Sequence, residues 1–297
     1  MKNFLLALIL VLFITSISYT QNVPSYIPTD NLFGWWPFNG NANDESGNGN
    51  NGIVNGATLT TDRYGLSNKA YSFNGINQFI GVALTDSLNI ASYSGITFSA
   101  WVSLNNLASY STLFDFYGAN GGFGLIYKSN IQRISALNAK AYQNPLIELT
   151  SLIQPPSNTW IYVLFTVNFN TSISQLYING VLQSQSTTNP FLPNLGYIGI
   201  GRWTDVIPWY ASGKLDEIGI WTRAFSAEEV SQVFTSTIKG NIGVNTVEPQ
   251  RNLHVKDVMR LEPRNQSPES PKEGDIYYDA ILKKLRVFDG AAWQNCW

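Results

Sequence analysis

Residues 160–185, WIYVLFTVNFNTSISQLYINGVLQSQ, decide the fold class. The first ten of these residues are apolar on both faces of a strand for most of their length, a pattern typical of a central strand that is covered on both sides. Residues 175–185 then form two short runs on either side of Asn179-Gly180, a pair that adopts positive φ angles in a tight hairpin turn. The stretch therefore predicts a buried strand followed by a β-hairpin.

Similar patterns occur earlier in the chain. The segment YSFNGINQFIGV (71–82) repeats the hairpin pattern with Asn74-Gly75 as its turn. The segment ITFSAWVSL (96–104) alternates between apolar and polar positions. Its predicted inner face consists of Phe98, Ala100, Val102 and Leu104. Regularly spaced strands and turns of this kind predict a β-sandwich.

One segment predicts a helix, SAEEVSQVF (226–234). Ser226 and Glu229 have the spacing of a capping box, in which each side chain bonds to the backbone N–H of the other residue. Val230, Val233 and Phe234 form an apolar stripe that can lie against the sandwich.

Five motifs together resemble the laminin-G-like family of concanavalin A-like jelly-roll sandwiches, and the likeness covers about residues 31–236. They are GWWPFNGNANDESGNGNNG (34–52), KAYSFNGINQFIGV (69–82), ITFSAWVSL, WIYVLFTVN with QLYINGVL, and GKLDEIGIWTRAFSAEEVSQVF (213–234). The resemblance implies an all-β jelly-roll sandwich with one short C-terminal helix. It is weaker for function, because lectins, adhesion modules and glycosidases share the fold.

The resemblance also implies a calcium site, because in this family the Asn- and Gly-rich loop near the start commonly lies beside the last long strand, often with a calcium ion between them. Alternation in KLDEIGIWT places Asp216 on the face of Ile218 and Ile220, where a carboxylate is costly unless it is paired or binds a metal. We therefore expect Asp44 and Asp216 to bind a structural calcium ion, with the carbonyl of Asn50 as a further ligand. The alternative is that both acids cap turns or accept backbone N–H bonds.

The segment GRWTDVIPWYASG (201–213) predicts a ligand-binding loop. Aromatic rings can cover the C–H side of a sugar, and a carboxylate can bind its hydroxyl groups, so we expect a glycan-binding platform. Its residues would be Trp203, Asp205, Trp209 and Tyr210. The partner would be a polysaccharide or the glycan of a glycoprotein. The alternative is that these rings fold back to cover the core.

Composition and residue types argue against other functions. The net charge of -2 and the pI near 5.4 give no electrostatic reason to expect nucleic acid as a partner. The only histidine is His254, so the sequence has no His-based catalytic triad. Glycoside hydrolysis needs two carboxylates flanking the bond, whereas neighbouring acids on one strand point to opposite faces. The sequence therefore predicts that the protein is not an enzyme.

The ends of the chain differ from its middle. Residues 1–20 have the pattern of a secretory signal peptide, whose apolar run is too short to span a membrane comfortably, so we expect a secreted or cell-surface bacterial protein. Residues 21–240 hold 21 charged side chains and residues 241–297 hold 16, which places a domain boundary near residue 240.

The tail, residues 241–297, resembles the small β-segments that end bacterial surface and fibre-like proteins. Two strands are predicted, at 276–279 and 284–288, after a linker at about 260–274 that is rich in proline and charge. A module this small buries little apolar surface alone, so we expect a homo-oligomer, most simply a trimer, to form through the tail.

Taken together, the sequence predicts a secreted module that binds carbohydrate or matrix and contains a structural calcium ion. A structural surface or fibre protein without a small ligand is the alternative. A glycoside hydrolase is the third possibility.

Overall fold

A computed structural model describes residues 23–118, 120–140, 145–203, 209–238, 242–244, 253–255 and 260–296. The chain divides into two compact units, Met1–Lys239 and Gly240–Trp297. Within the described residues the first unit is a sandwich of two antiparallel sheets with a single α-helix, so the predicted all-β sandwich with one short helix is confirmed. No helix in these ranges is both long enough and apolar enough to cross a membrane.

The strands of the first unit are numbered in chain order. They are β1 (Leu32–Trp36), β2 (Ile53–Asn55), β3 (Thr58–Thr60), β4 (Ala70–Asn74), β5 (Phe79–Asn89), β6 (Gly95–Leu104), β7 (Ser111–Gly118), β8 (Gly121–Lys128), β9 (Arg133–Ala139), β10 (Pro145–Thr150), β11 (Ile161–Asn168), β12 (Ile173–Ile178), β13 (Val181–Ser186), β14 (Asn194–Ile200) and β15 (Ser212–Trp221). Sheet A has the order β13-β12-β11-β6-β15-β4-β3, with β1 also paired to β15. Sheet B has the order β10-β9-β8-β7-β14-β5-β2.

The main core lies between the two sheets. The predicted inner face of β6 is confirmed, since Phe98, Ala100, Val102 and Leu104 all belong to this core. Strand β11 is buried on both faces, as its sequence predicts: Val163 and Phe165 point into the main core, whereas Tyr162 and Leu164 belong to a second cluster.

This second cluster lies on the outer face of sheet A, under helix α1 (Ala227–Ile238). The capping box is confirmed, because the Glu229 N–H donates to Ser226 Oγ at 3.2 Å and the Ser226 N–H donates to Glu229 Oε2 at 2.8 Å. Trp101 packs against Phe234 of the helix, with ring centroids 6.2 Å apart. The helix therefore occupies one outer face of the sandwich and leaves the outer face of sheet B to other contacts.

Of the two hairpins predicted from Asn-Gly turns, the structure contains one. Asn179-Gly180 joins the paired strands β12 and β13 with φ angles of 50° and 73°, so that hairpin is confirmed. Asn74-Gly75 does not close a hairpin, because β4 belongs to sheet A and β5 to sheet B. The same turn residues there carry the chain from one layer to the other.

The predicted alternation along β15 is wrong. Leu215 lies in the main core together with Ile218 and Ile220, whereas Asp216 lies opposite Trp101 on the helix-covered side. The cause is a bulge between Asp216 and Gly219, where Glu217 adopts a φ of 46°. One extra residue shifts the two-residue period and moves Asp216 to the other face.

The described part of the second unit contains two small sheets. Strands β16 (Ile242–Val244) and β17 (Leu253–Val255) pair in parallel, and β18 (Ile276–Asp279), β19 (Lys284–Phe288) and β20 (Trp293–Asn295) form an antiparallel sheet. The two strands predicted for the tail are thus confirmed. Trp293 is half-buried against Tyr277, at a centroid distance of 4.7 Å. Trp297 lies outside the described residues.

Candidate functional site

The Asn- and Gly-rich loop that follows β1 is held together by its own hydrogen bonds. Asp44 Oδ1 accepts from the backbone N–H groups of Trp35 and Ser46, each at 2.9 Å, and Oδ2 accepts from Asn50 N–H at 2.9 Å. The carbonyl of Asn50 accepts from the indole N–H of Trp36 at 2.8 Å. The polar side chains therefore replace the backbone partners that a loop of this length lacks.

Asp216, the other predicted calcium ligand, lies in a buried ion cluster. Arg63 is within 3.3 Å of Asp216 Oδ2 and 2.9 Å of Glu217 Oε1, and the side chains of Arg63 and Asp216 are only 7% and 3% exposed. The guanidinium carbon of Arg63 also lies 4.6 Å from the ring centroid of Trp101. Burial, together with the neighbouring Glu217, raises the pKa of Asp216 well above its usual range, and burial also raises the pKa of Glu217.

These contacts do not fit a calcium site. The oxygens of Asp44 and Asn50 already accept hydrogen bonds, and the oxygens of Asp216 face a guanidinium cation and a backbone N–H. A cation beside a ligand oxygen repels a second cation. Within the described ranges no group of three or more His, Cys, Asp or Glu side chains could hold a metal ion. The geometry favours the hydrogen-bonded alternative for both acids, and calcium binding stays a prediction without structural support.

Trp203 and Trp209 of the predicted ligand loop lie on the outer face of sheet B, but Trp203 is not exposed there. Its side chain is 2% exposed and packs against Ile126 and Leu137. Gly124 makes this packing possible, because a Cβ atom at that position would lie 2.7 Å from the Trp203 ring. Trp203 therefore covers the sheet instead of offering a free ring, which corrects its predicted role. Asp205 lies outside the described residues.

Trp209 and Tyr210 have the partial exposure that a ligand platform needs, since both are half-buried. Trp209 stacks on Tyr110, with ring centroids 4.7 Å apart and an angle of 27° between the planes. The Trp209 carbonyl accepts from Trp203 N–H at 3.0 Å, and Tyr210 forms a β-bridge with Arg202. The backbone next to the buried Trp203 therefore holds the backbone of Trp209 and Tyr210 in place.

Further residues of this surface were not identified from the sequence. Phe79 lies 6.4 Å from Tyr210 between ring centroids, and the guanidinium carbon of Arg202 lies 4.7 Å from the centroid of Phe79. The hydroxyl of Tyr197 lies directly over Gly81, where a Cβ atom would be 2.2 Å away from it. We call the half-buried side chains on this surface the aromatic face; they are Phe79, Tyr110, Tyr197, Arg202, Trp209 and Tyr210.

A row of small residues crosses sheet B beneath the aromatic face. Gly81, Gly199, Asp115 and Gly124 are consecutive cross-strand partners on β5, β14, β7 and β8. Asp115 is 0% exposed. Because the glycines carry no side chains, the large rings beside them can lie low over the sheet. Glycines at outward positions of three separate strands are the sequence signal that could have located this surface.

The charges of the aromatic face are close to its rings. Burial raises the pKa of the Tyr197 hydroxyl, while the nearby Arg202 cation opposes this shift and the Asp115 carboxylate adds to it. The Nε atom of Arg202 is buried and has no hydrogen-bond partner among the residues that the structure describes. The surface thus combines exposed ring area with a cation, a phenolic hydroxyl and a buried acid.

The chain matches a known family model. A laminin G family model, described as the concanavalin A-like lectin/glucanases superfamily, matches residues 77–231. Among curated proteins, the adhesion G-protein coupled receptor D1 of Bos taurus is 26% identical over 122 residues, which are 41% of this chain and 13% of the receptor. The chain therefore spans only a small part of that receptor.

Solved structures share the fold. The ligand binding domain of botulinum neurotoxin serotype D, in complex with N-acetylneuraminic acid, aligns with a TM-score of 0.57 and 19% identity over 72% of this chain and 53% of that chain. Domain 4 of AbnA, a GH43 extracellular arabinanase from Geobacillus stearothermophilus, in complex with arabinotriose, aligns with a TM-score of 0.53 and 19% identity over 68% of this chain and 98% of that chain. At these identities the likeness shows a common fold.

Proposed function

The chain belongs to the laminin-G-like, concanavalin A-like lectin/glucanases superfamily, and on that premise we propose that it is a non-catalytic carbohydrate-binding module. The observation that carries the proposal is the aromatic face on sheet B. Its stacked Tyr110 and Trp209 rings and the neighbouring Tyr210 present ring surface beside polar groups. Ligand sites combine apolar and aromatic walls with a few placed polar groups in this way.

Two structural neighbours support a sugar as the ligand. One, of which this chain covers 53%, is in complex with N-acetylneuraminic acid, and the other, of which it covers 98%, is in complex with arabinotriose, so two sugar-binding proteins contain a sandwich of this fold. The matching protein is named an adhesion receptor, and this name agrees with a binding role for the chain. A location of the protein outside the cell agrees with the signal-like sequence of residues 1–20.

The absence of catalysis is part of the proposal. Asp216 and Glu217 are the adjacent acids of the last long strand, and both are paired with Arg63 below the surface. A glycosidase needs two carboxylates that reach the scissile bond from either side. These two acids are not available for that role, so binding without cleavage is the function that the residues support best.

A glycan array with the purified chain tests the proposal. We expect binding to particular glycans and a loss of about 1–3 kcal/mol in binding free energy for Trp209→Ala, taking base–aromatic stacking as the nearest scale. Trp160→Ala is the matched control, since Trp160 is also half-buried but packs against the cluster on the outer face of sheet A. Equal losses for the two variants, or no binding by the unmodified chain, would refute the proposal.

A further inference from the structure

Four rings of the aromatic face form one row that crosses sheet B. Phe79 lies 6.4 Å from Tyr210 between ring centroids, and Trp209 lies 4.7 Å from Tyr110. Trp209 and Tyr210 are neighbours in the sequence, so they join the two pairs. We call these four side chains the ring row. It begins on β5, where Phe79 is the first residue, and it ends beside β7, where Tyr110 directly precedes Ser111.

An amide side chain lies at each end of the ring row. Asn55 of β2 is the cross-strand partner of Phe79, and residues directly opposite each other on paired strands share one face of the sheet. At the other end the hydroxyl of Tyr110 donates to Asn130 Oδ1 at 2.6 Å, in the turn between β8 and β9. Asn55 and Asn130 are both exposed. Each end of the row therefore carries a group that can donate to and accept from the hydroxyls of a sugar.

The ring row and its two amides extend across several strands. In sheet B the order β2-β5-β14-β7-β8 leads from Asn55 to the strand that ends just before the turn of Asn130. Neighbouring strands lie about 4.8 Å apart, so the distance from β2 to β8 is about 19 Å, which is longer than one sugar ring. Trp209 and Tyr110 stack on each other and so offer one place between them, which leaves about three places for sugar rings along the row.

We infer that the aromatic face binds an internal segment of an unbranched polysaccharide, with about three consecutive sugar units on the ring row and sugar hydroxyls bound by Asn55 and Asn130. The inference rests on the proposed carbohydrate-binding function and names the form of glycan that this surface takes. Because both amides are exposed, a longer chain can continue past either end of the row. Each further ring that a sugar covers should raise the affinity about 5- to 150-fold, taking base–aromatic stacking as the nearest scale.

Oligosaccharides of increasing length test the inference. Series of cello-, xylo-, arabino- and galacturono-oligosaccharides from one to six units are titrated into the full chain by calorimetry. In at least one series we expect the affinity to rise by a factor of about ten or more from one unit to three, and then to level off when both amides are reached. The parent polysaccharide of that series should fill more than one binding site per polysaccharide chain, because internal segments recur along the chain.

Variants at the two ends test the course of the glycan along the ring row. Asn55→Ala and Asn130→Ala should each weaken binding of the longest oligosaccharides about 2- to 10-fold, the effect of one hydrogen bond, and should leave the affinity for the monosaccharide within about twofold. Asn170→Ala is the matched control, since Asn170 is also exposed but lies between β11 and β12 of sheet A. Trp209→Ala should weaken binding at every length. The unmodified chain tests the dependence on length by itself, even if a variant does not fold.

Each other outcome has a definite meaning. Equal affinity for one unit and for six units in every series that binds overturns the inference while the carbohydrate-binding function stands. A parent polysaccharide that fills only one site per chain does the same, because it shows recognition of a chain end. Absence of binding in all four series overturns both the inference and the proposed function. A dependence on length that neither Asn55→Ala nor Asn130→Ala changes, in folded proteins, overturns the course along the ring row.

Discussion

Replacement of Arg63 by Met removes the cation from the buried cluster on sheet A. Two carboxylates, Asp216 and Glu217, then remain in the interior without their counter-ion, since the side chain of Asp216 is 3% exposed and that of Glu217 is 15% exposed. Loss of one partner from a buried ion pair typically costs about 3–5 kcal/mol, because the remaining charge keeps its desolvation penalty. For a unit of this size that corresponds to a fall in melting temperature of about 6–20 °C.

The loss should depend on pH with a definite sign. The pKa values of Asp216 and Glu217 are raised in the folded protein, first by burial. Such groups contribute stability that is fully present below their unfolded pKa values and is lost as pH rises through the folded values. Arg63 lowers both pKa values, so its removal raises them further. The difference between the variant and the unmodified chain should therefore be largest at neutral pH and should shrink as the pH falls through the raised pKa values towards about 4, where both carboxyl groups become protonated.

Thermal and urea unfolding across pH 4 to 8 measure the effect. Arg223→Met is the matched control, because Arg223 also reaches two acids, Glu229 and Asp30, but these are 33% and 80% exposed. Surface pairs of this kind contribute about 0–1 kcal/mol. Equal losses for the two variants, or a loss for Arg63→Met that does not change with pH, would refute the buried-charge explanation. Addition of Asp216→Asn and Glu217→Gln to Arg63→Met should recover most of the lost stability.

Three further predictions concern other parts of the chain. Trp203→Ala should lower the free energy of unfolding by about 3–5 kcal/mol, because its ring is buried on sheet B; a stable variant that only loses glycan binding would contradict this. Chelation with EDTA should leave the melting temperature unchanged, because hydrogen bonds and Arg63 already occupy the oxygens of Asp44 and Asp216; a calcium-dependent rise that Asp216→Asn abolishes would establish the predicted calcium site instead. Light scattering of the full chain should show an oligomer, with a trimer expected, because Ile281 and Leu282 of the second unit are 70% and 50% exposed; a monomer at micromolar concentration would contradict the role of the tail in assembly.

The features that depend on local pattern were predictable from the sequence. The buried strand β11, the inner face of β6 and the capped helix follow from apolar periodicity and from Ser226 and Glu229, which act over one or two turns of chain. The laminin-G-like resemblance came from motifs in a fixed order, and the matching family model confirms it.

The features that depend on distant contacts were not predictable in the same way. Strict alternation missed the bulge at Glu217, so Asp216 was placed on the wrong face of β15. Arg63, which neutralises Asp216, is 153 residues away in sequence, and no local pattern connects the two. Asn74-Gly75 predicted a hairpin because turn chemistry does not tell which sheet the next strand joins.

The candidate site was predicted only in part, because the exposure of each ring depends on distant contacts. Aromatic residues in one loop indicated a ligand surface, but exposure depends on what lies beneath each ring. Gly124 allows the Trp203 ring to lie directly on the sheet, whereas Trp209 stacks on Tyr110 and stays half-buried. Arg202 stood beside these rings in the sequence without a feature that marked it, because its contact with Phe79 is visible only in three dimensions.

Titration of the full chain with the strongest hit from a glycan array tests the central claim most directly, when it is repeated with Trp209→Ala and with Trp160→Ala. We expect saturable binding by the unmodified chain, a loss of about 1–3 kcal/mol in binding free energy for Trp209→Ala, and affinity within about threefold of the unmodified chain for Trp160→Ala. Binding that is unaffected by Trp209→Ala in a folded protein would show that the aromatic face of sheet B is not the carbohydrate site.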